Sequence, residues 1–289
     1  MAKTPKYIEH DMFRMPMGFS TEAYRSALNY SATAEDIFVC SYPKCGTTWL
    51  QNIVYLILNG GVPLGPDMRL PTVFPHLEEV GLQVCEKLPT PRLIKTHLPF
   101  FVTPWHLEAR YFYIARNPFD CVVSFFHHTC GFPQHYDFLD GEFNEFFECF
   151  ISGKVDFGDY FDNLIPWYNQ RDKSNVFFIT YESMISDSRA AIKKIGKFLE
   201  TDATKLDKTI DQVVRYSSFE SMQKYQTRWA SPRIDAVSPF IRKGVVGDWK
   251  NYFSHDQAYR LLDKFLNKIQ GTSIDKLWPD IVASVRHYS

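Results

Sequence analysis

Three short stretches hold residue types that could do chemistry together. The first, "SYPKCGTTWLQN" at residues 41 to 52, carries Lys44, Gly46, Thr47 and Thr48 just before an apolar run. If a strand ends near residue 42 and a helix starts at 47, the amides of residues 44 to 48 point from the helix N-terminus toward the sheet edge, which makes an anion site. Lys44 adds a full charge, Gly46 allows close backbone approach, and the two threonine hydroxyls add donors. A nucleoside-triphosphate loop reads G-x-x-x-x-G-K-[ST], with lysine after the last glycine, whereas here lysine comes before it, so this is not a Walker loop. Taken alone, a strand-to-helix turn with a solvent-exposed lysine is the simpler account.

The second stretch, "RLIKTHLP" at 92 to 99, puts Lys95 and His97 at a strand end that Pro99 stops. By itself His97 fits a satisfied structural histidine better than a base. In the third, "YIARNPFDCVVSFFHH" at 113 to 128, Arg116 leaves a strand, Asn117 can cap a helix and Pro118 suits its first position. Ser124 follows about two turns on, where it and Arg116 could grip one anionic group from two sides. For Arg116 alone, a surface charge or an ion pair is as good an account.

The elements that must position these residues alternate. "DIFVCSY" at 36 to 42 precedes a helical pattern over 47 to 59, "RYFYIA" at 110 to 115 one over 118 to 129, and "NVFFIT" at 175 to 180 one over 187 to 200. Together with "RLIKTH", they predict an α/β fold: a central parallel sheet flanked by helices, with every strand carrying its next loop to the carboxyl edge where such sheets bind ligands. A further helix is expected over 255 to 270, with Ser254 and Gln257 as a capping box and Gly271 past its end. Residues 60 to 92 and 128 to 175 read as long loops and short helices over the sheet edge. The stripe Phe143, Phe146, Phe147 and Phe150 reads as a buried helix face. One domain over 1–289 is expected from the length of 289 residues.

With 45% apolar residues the chain can build a sizeable core, and a net charge of −1 supplies no general field for nucleic acid or an anionic membrane. No apolar run suits a membrane span or signal peptide, so a soluble, cytoplasmic protein is expected. The six cysteines include no C-x-x-C pair, which argues against a zinc site and for reduced thiols. "VDFGD" at 155 to 159 contains a kinase-like D-F-G without the loops that should accompany it, and reads as chance. The tandem His127-His128 has no third ligand at metal spacing and reads as surface or packing.

Taken in order, the motifs resemble one family. "YPKCGTTWLQ" is similar to the Y-P-K-S-G-T-T-W signature of the cytosolic sulfotransferases, "KTHLP" to their histidine segment and "RNPFDCVVSFFHH" to their 3′-phosphate segment; "ITYESM", "SSFESM" and "PFIRKGVVGDWKNYF" follow in the family's order. The resemblance spans roughly residues 35 to 270. It implies an enzyme that moves the sulfuryl group of 3′-phosphoadenosine 5′-phosphosulfate to the hydroxyl or amine of a small lipophilic acceptor, leaving 3′-phosphoadenosine 5′-phosphate. The loop Lys44, Cys45, Gly46, Thr47 and Thr48 would hold the 5′-phosphosulfate. Lys44 would stabilise the leaving oxygen, His97 would take the acceptor proton during in-line attack, and Lys95 would be a second cation on the sulfuryl oxygens.

The same resemblance assigns the 3′-phosphate to Arg116, Ser124, Arg242, Lys243 and Gly244, with Phe240 and Ile241 leading into that loop. It places Trp49 and Phe219 about the adenine, and Tyr181 and Ser217 at its edge or the ribose. A sulfuryl in transfer carries less negative charge than a phosphoryl, so lysines could serve where kinases need magnesium, and no metal is expected. The acceptor pocket would be walled by segments holding Phe13, Met15, Met17, His76, Phe132 and His135, suiting a phenol, a monoamine or a lipophilic alcohol. Phe132 lies near a position where catecholamine-preferring relatives use an acid, so no ammonium partner is evident.

Two departures stand out. Cys45 replaces the usual serine, and a thiol at a helix N-terminus is expected to have a lowered pKa and to oxidise readily. The family's dimer motif K-x-x-x-T-V-x-x-x-E is replaced by Lys250, Ser254, His255 and Tyr259, which leaves a homodimer by that route in question. The competing accounts are a P-loop kinase, which would need a Walker loop and a magnesium carboxylate, and a non-catalytic carrier, which would not need Lys44, Lys95 and His97 together.

Overall fold

The structure, a computed structural model, describes residues 3–11, 13–230 and 238–288. Its strands are β1 Tyr7–His10, β2 Phe13–Pro16, β3 Asp36–Cys40, β4 Arg92–Thr96, β5 Arg110–Ala115 and β6 Val176–Thr180. The last four form one parallel sheet in the order β4-β3-β5-β6. As in other parallel sheets covered on both faces, β3 is buried at every residue.

Side chains alternate across this sheet because the strand period is two. Ile37, Val39, Phe112 and Ile114 face one way, onto helices Thr47–Leu58, Ser188–Phe198 and Ala203–Ser217. Phe38, Cys40, Tyr111 and Tyr113 face the other, onto helices Pro118–Gly131, Phe143–Ile151, Tyr160–Tyr168 and His255–Lys268. Phe146, Phe147 and Phe150 are buried in this second layer with Phe143 packed against it, so the aromatic stripe is a core face. The capping box at Ser254 and Gln257 forms as expected.

Register sets the site. Cys40 pairs with Thr96 and Ala115 with Thr180, so Ser41, His97, Arg116 and Tyr181 each stand one residue beyond a strand's last position. Four neighbouring strands thus deliver four functional side chains to one carboxyl edge. The strands predicted to reach Tyr42 and His97 end at Cys40 and Thr96, because the chain must turn there to present these residues.

Several elements were not expected, among them a hairpin and two helices. The antiparallel hairpin β1–β2 is held by distant partners: Lys6 N–H donates to the Tyr136 carbonyl at 2.8 Å and Phe157 N–H to that of Arg14 at 3.0 Å. The helices are Thr21–Leu28 and Ala203–Ser217; the latter buries Leu206, Ile210 and Val213 in a helical spacing that was open to reading. Among the described residues, no helix is long and apolar enough to cross a membrane.

Candidate active site

A cavity of about 300 Å³ opens at this sheet edge. At one end lies the 41–49 loop. Lys44 and Gly46 both sit in the left-handed region, at φ 68° and 104°. A side chain at Gly46 would come 2.8 Å from the Tyr181 ring, so only glycine fits that turn. The following helix has no side-chain N-cap, which leaves its N-terminal positive pole to the cavity. Lys44 Nζ lies 3.4 Å from His128 Nδ1 and 4.4 Å from the centre of the Phe240 ring. The Thr47 and Ser41 hydroxyls meet at 2.6 Å.

Cys45 does not line the cavity. Its side chain is buried, with its sulfur 3.9 Å from that of Cys121, and burial first, then the Cys121 contact, pushes the thiol well above its ordinary pKa. The expectation of a lowered pKa is therefore corrected: desolvation outweighs the helix N-terminus.

Arg116 is 7% exposed and its guanidinium stacks 4.4 Å from the centre of the Tyr181 ring. Its Nη1 donates to the Lys44 carbonyl at 3.4 Å and its Nη2 to that of Val245 at 3.3 Å, while Nε is buried with no partner among the described residues. Arg242 is similar: Nη2 is 2.6 Å from Asp248 Oδ2, and Nη1 is buried without a partner among the described residues. Lys243 pairs with Asp248 Oδ1 at 2.7 Å, and the Asp248 carboxyl is held at about 2, because these cations outweigh its burial. Gly244 is left-handed, and a side chain there would come 2.5 Å from the Phe219 ring. Ser124, Phe219, Phe240 and Ile241 complete this end. The Gln226 side chain holds Ile241 through both its backbone groups. Trp49 also lines it, its ring edge-on to Tyr181 at 5.5 Å and its Nε1 without a partner among the described residues. Ser217 lines it too, but its hydroxyl proton is given to the Val213 carbonyl at 2.7 Å.

His97 and Lys95 lie at the cavity floor. His97 Nδ1 is 2.8 Å from the Ser41 carbonyl, which can only accept, so Nδ1 carries the proton and Nε2 keeps its lone pair. The backbone of His97 is fixed from both sides, N–H to Glu78 Oε1 at 2.6 Å and carbonyl from Asn163 Nδ2 at 2.9 Å. Burial, then the nearby Lys95 and His76, hold His97 well below its ordinary pKa, and burial lowers that of Lys95 despite Glu79 and Glu78. A neutral imidazole with a free Nε2 is a base ready at neutral pH.

At the far end His76, Phe132 and His135 line the cavity, with Pro16, Phe19, Tyr136, Asp156 and Phe157. Phe13, Met15 and Met17 do not. Phe13 packs with Met15 in a small core that also holds Phe19 and Phe157, and of this segment it is Pro16, at the end of β2, and Phe19 that line the cavity. His128 also lines the cavity, beside Lys44. Asp156, Phe157, Glu79 and His128 were not singled out as site residues: Asp156 and Phe157 fell in the D-F-G read as chance, and His128 in the tandem histidine read as surface or packing. Among the described residues no three histidine, cysteine, aspartate or glutamate side chains gather to hold a metal.

Comparison with known proteins fits this geometry. The sulfotransferase domain family matches residues 34–273. Sulfotransferase 1C2 of Oryctolagus cuniculus is 34% identical over 265 residues, covering 86% of this chain and 87% of that protein. Sulfotransferase 1B1 of Mus musculus is 34% identical over 274 residues, with 87% and 90% covered. Among solved structures, mouse sulfotransferase SULT7A1 complexed with PAP superposes with a TM-score of 0.74 at 28% identity, covering 96% of this chain and 99% of that one.

Proposed function

Because this chain belongs to the sulfotransferase family, and so transfers a sulfuryl group from 3′-phosphoadenosine 5′-phosphosulfate to a small acceptor, we propose that His97 is its general base and Lys44 and Lys95 its charge-stabilising cations. The observation that carries this assignment is the His97 tautomer: the Ser41 carbonyl holds the proton on Nδ1, so Nε2 is the atom left to take one. A positioned base is worth roughly 10²- to 10⁴-fold in rate.

The residues present fit the donor nucleotide. Arg116 Nε and Arg242 Nη1 are buried donors without partners among the described residues, and at Gly46 and Gly244 a Cβ would strike Tyr181 and Phe219. Buried unpaired donors are costly, and a phosphate dianion satisfies them. Arg116, Ser124, Arg242, Lys243 and Gly244 would hold the 3′-phosphate, and the loop 44–48 the 5′-phosphosulfate. Trp49, Phe219, Tyr181 and Ser217 would enclose the nucleoside. When bound, the donor supplies the sulfuryl group that the acceptor oxygen receives. His97 Nε2 accepts the acceptor's proton, Lys44 steadies negative charge on the leaving side, and Lys95 does so beside His97. The aromatic far end favours phenols, monoamines and lipophilic alcohols as acceptors.

Thermal unfolding with 3′-phosphoadenosine 5′-phosphate, AMP and magnesium-ATP tests the donor site. Only the 3′-phosphorylated nucleotide should stabilise, by about 2.7 kcal/mol at a hundredfold excess over its dissociation constant. Equal stabilisation by magnesium-ATP would remove the assignment of Arg116 and Arg242.

A further inference from the structure

Asp156 is 2% exposed at the wall of the cavity. Its Oδ2 accepts from the Tyr136 hydroxyl at 2.7 Å, while its Oδ1 is buried and has no partner among the described residues. Among the described residues no lysine or arginine is paired with it. Arg14, its neighbour on the hairpin, has its guanidinium 3.2 Å from Glu9 instead. Lys95 and Lys44 line the same cavity, but neither is within ion-pair distance of its carboxyl. Of the described side chains that act on the Asp156 carboxyl, Tyr136 donates to it and His76 lies close enough to favour its ionised form. A carboxyl buried with half its hydrogen-bonding capacity unused is costly, and a protein retains one where something completes it.

Its position fits an acceptor subsite. Asp156 precedes Phe157, whose ring centre is 5.2 Å from that of His97 and 6.0 Å from that of His76. Asp156 thus lines the same cavity as the base, in a wall that also holds Phe19, Phe132 and Phe157. An acceptor whose hydroxyl meets His97 would present the other end of its body to this wall.

We propose that Asp156 is an anchor for acceptors carrying a protonated amine at the end opposite the reacting hydroxyl, pairing its Oδ1 with the ammonium. This deepens the sulfuryl-transfer reading and rests on it. Burial raises the Asp156 carboxyl to about 7, so a neighbouring cation is also what would hold it ionised at neutral pH. An ammonium brings the charge that the wall lacks, whereas an alcohol brings only a donor.

The test compares three phenols that differ at one end: tyramine, 4-(2-hydroxyethyl)phenol and 4-ethylphenol, as acceptors for wild type, Asp156→Asn and Asp156→Ser. The readout is the ratio of kcat/KM values within each protein, which cancels any general loss of folding or turnover. Wild type should favour tyramine over both neutral phenols by tenfold or more, mostly through KM, and both variants should lose that preference. A wild type that favours either neutral phenol, or a tyramine preference that survives in both variants, overturns the proposal while leaving sulfuryl transfer standing. Transfer to none of the three overturns the phenol-type acceptor reading beneath it.

Discussion

The ring of His76 stands edge-on to the ring of His97, their centres 4.9 Å apart and their planes at 80°. His76 is itself set between two carboxylates, 3.4 Å from Glu78 Oε2 and 3.7 Å from Glu79 Oε2. Glu78 is wholly buried, and its other oxygen receives the His97 backbone N–H and the Thr96 hydroxyl. One carboxylate thus fixes the backbone of the base and faces the ring that opposes its protonation. Despite burial, which acts the other way, His76 and these hydrogen bonds hold the Glu78 carboxyl below its ordinary range.

The acid limb of the pH profile should therefore depend on His76. Burial, Lys95 and His76 all disfavour the charged form of His97, so removing the His76 ring must raise its pKa. Activity requiring neutral His97 is lost as pH falls through that pKa. In His76→Phe the acid limb of kcat/KM should shift upward by up to about 1 pH unit. An unmoved limb would show that His76 does not act on the base electrostatically.

Gly244 should be intolerant of the smallest side chain. At φ 66° an alanine is strained, and its methyl would lie 2.5 Å from Phe219 Cδ2. Strain of this kind costs about 1–3 kcal/mol. Because Phe219 and the 242–244 loop line the same end, Gly244→Ala should weaken binding of 3′-phosphoadenosine 5′-phosphate about tenfold or more, measured by calorimetry. Unchanged affinity would mean that the loop and the Phe219 ring do not close on the nucleotide together.

Much of this site was legible because its residues lie at element boundaries, where local sequence is decisive. Lys44, His97 and Arg116 each follow a recognisable strand, and parallel pairing then brings Ser41 opposite His97 without further information. Depth was not legible. The sequence places Cys45 at a helix start but not its packing against Cys121, which reverses the expected direction of its pKa. Non-local pairing was equally hidden. Phe13 was expected at the acceptor wall, yet a hairpin docked on residues 135 to 157 packs it in a small core with Met15 and Val102, while Pro16 and Phe19 line the wall. Asp156 meets Tyr136 across twenty residues, and a short motif without its companions gave no sign of that contact.

The donor loop should depend on Asp120, a residue that does not line the cavity. Asp120 is 1% exposed in the first turn of the helix that starts just after Arg116. Its Oδ2 accepts from Gly247 N–H at 2.7 Å and from Asn117 Nδ2 at 2.9 Å, and its Oδ1 accepts from Trp249 N–H at 3.0 Å. These bonds tie the segment after Arg242–Gly244 to the helix that carries Ser124, so one carboxylate sets the spacing between the two halves of the 3′-phosphate clamp. Asp120→Ala leaves those buried donors unpaired, at about 1–3 kcal/mol of stability. Calorimetry should find binding of 3′-phosphoadenosine 5′-phosphate weakened about tenfold, while the acceptor KM at saturating donor stays within about twofold. Asp120→Asn, which keeps one accepting oxygen, should recover part of that affinity. If the two constants deteriorate together, Asp120 supports the fold at large and not the clamp.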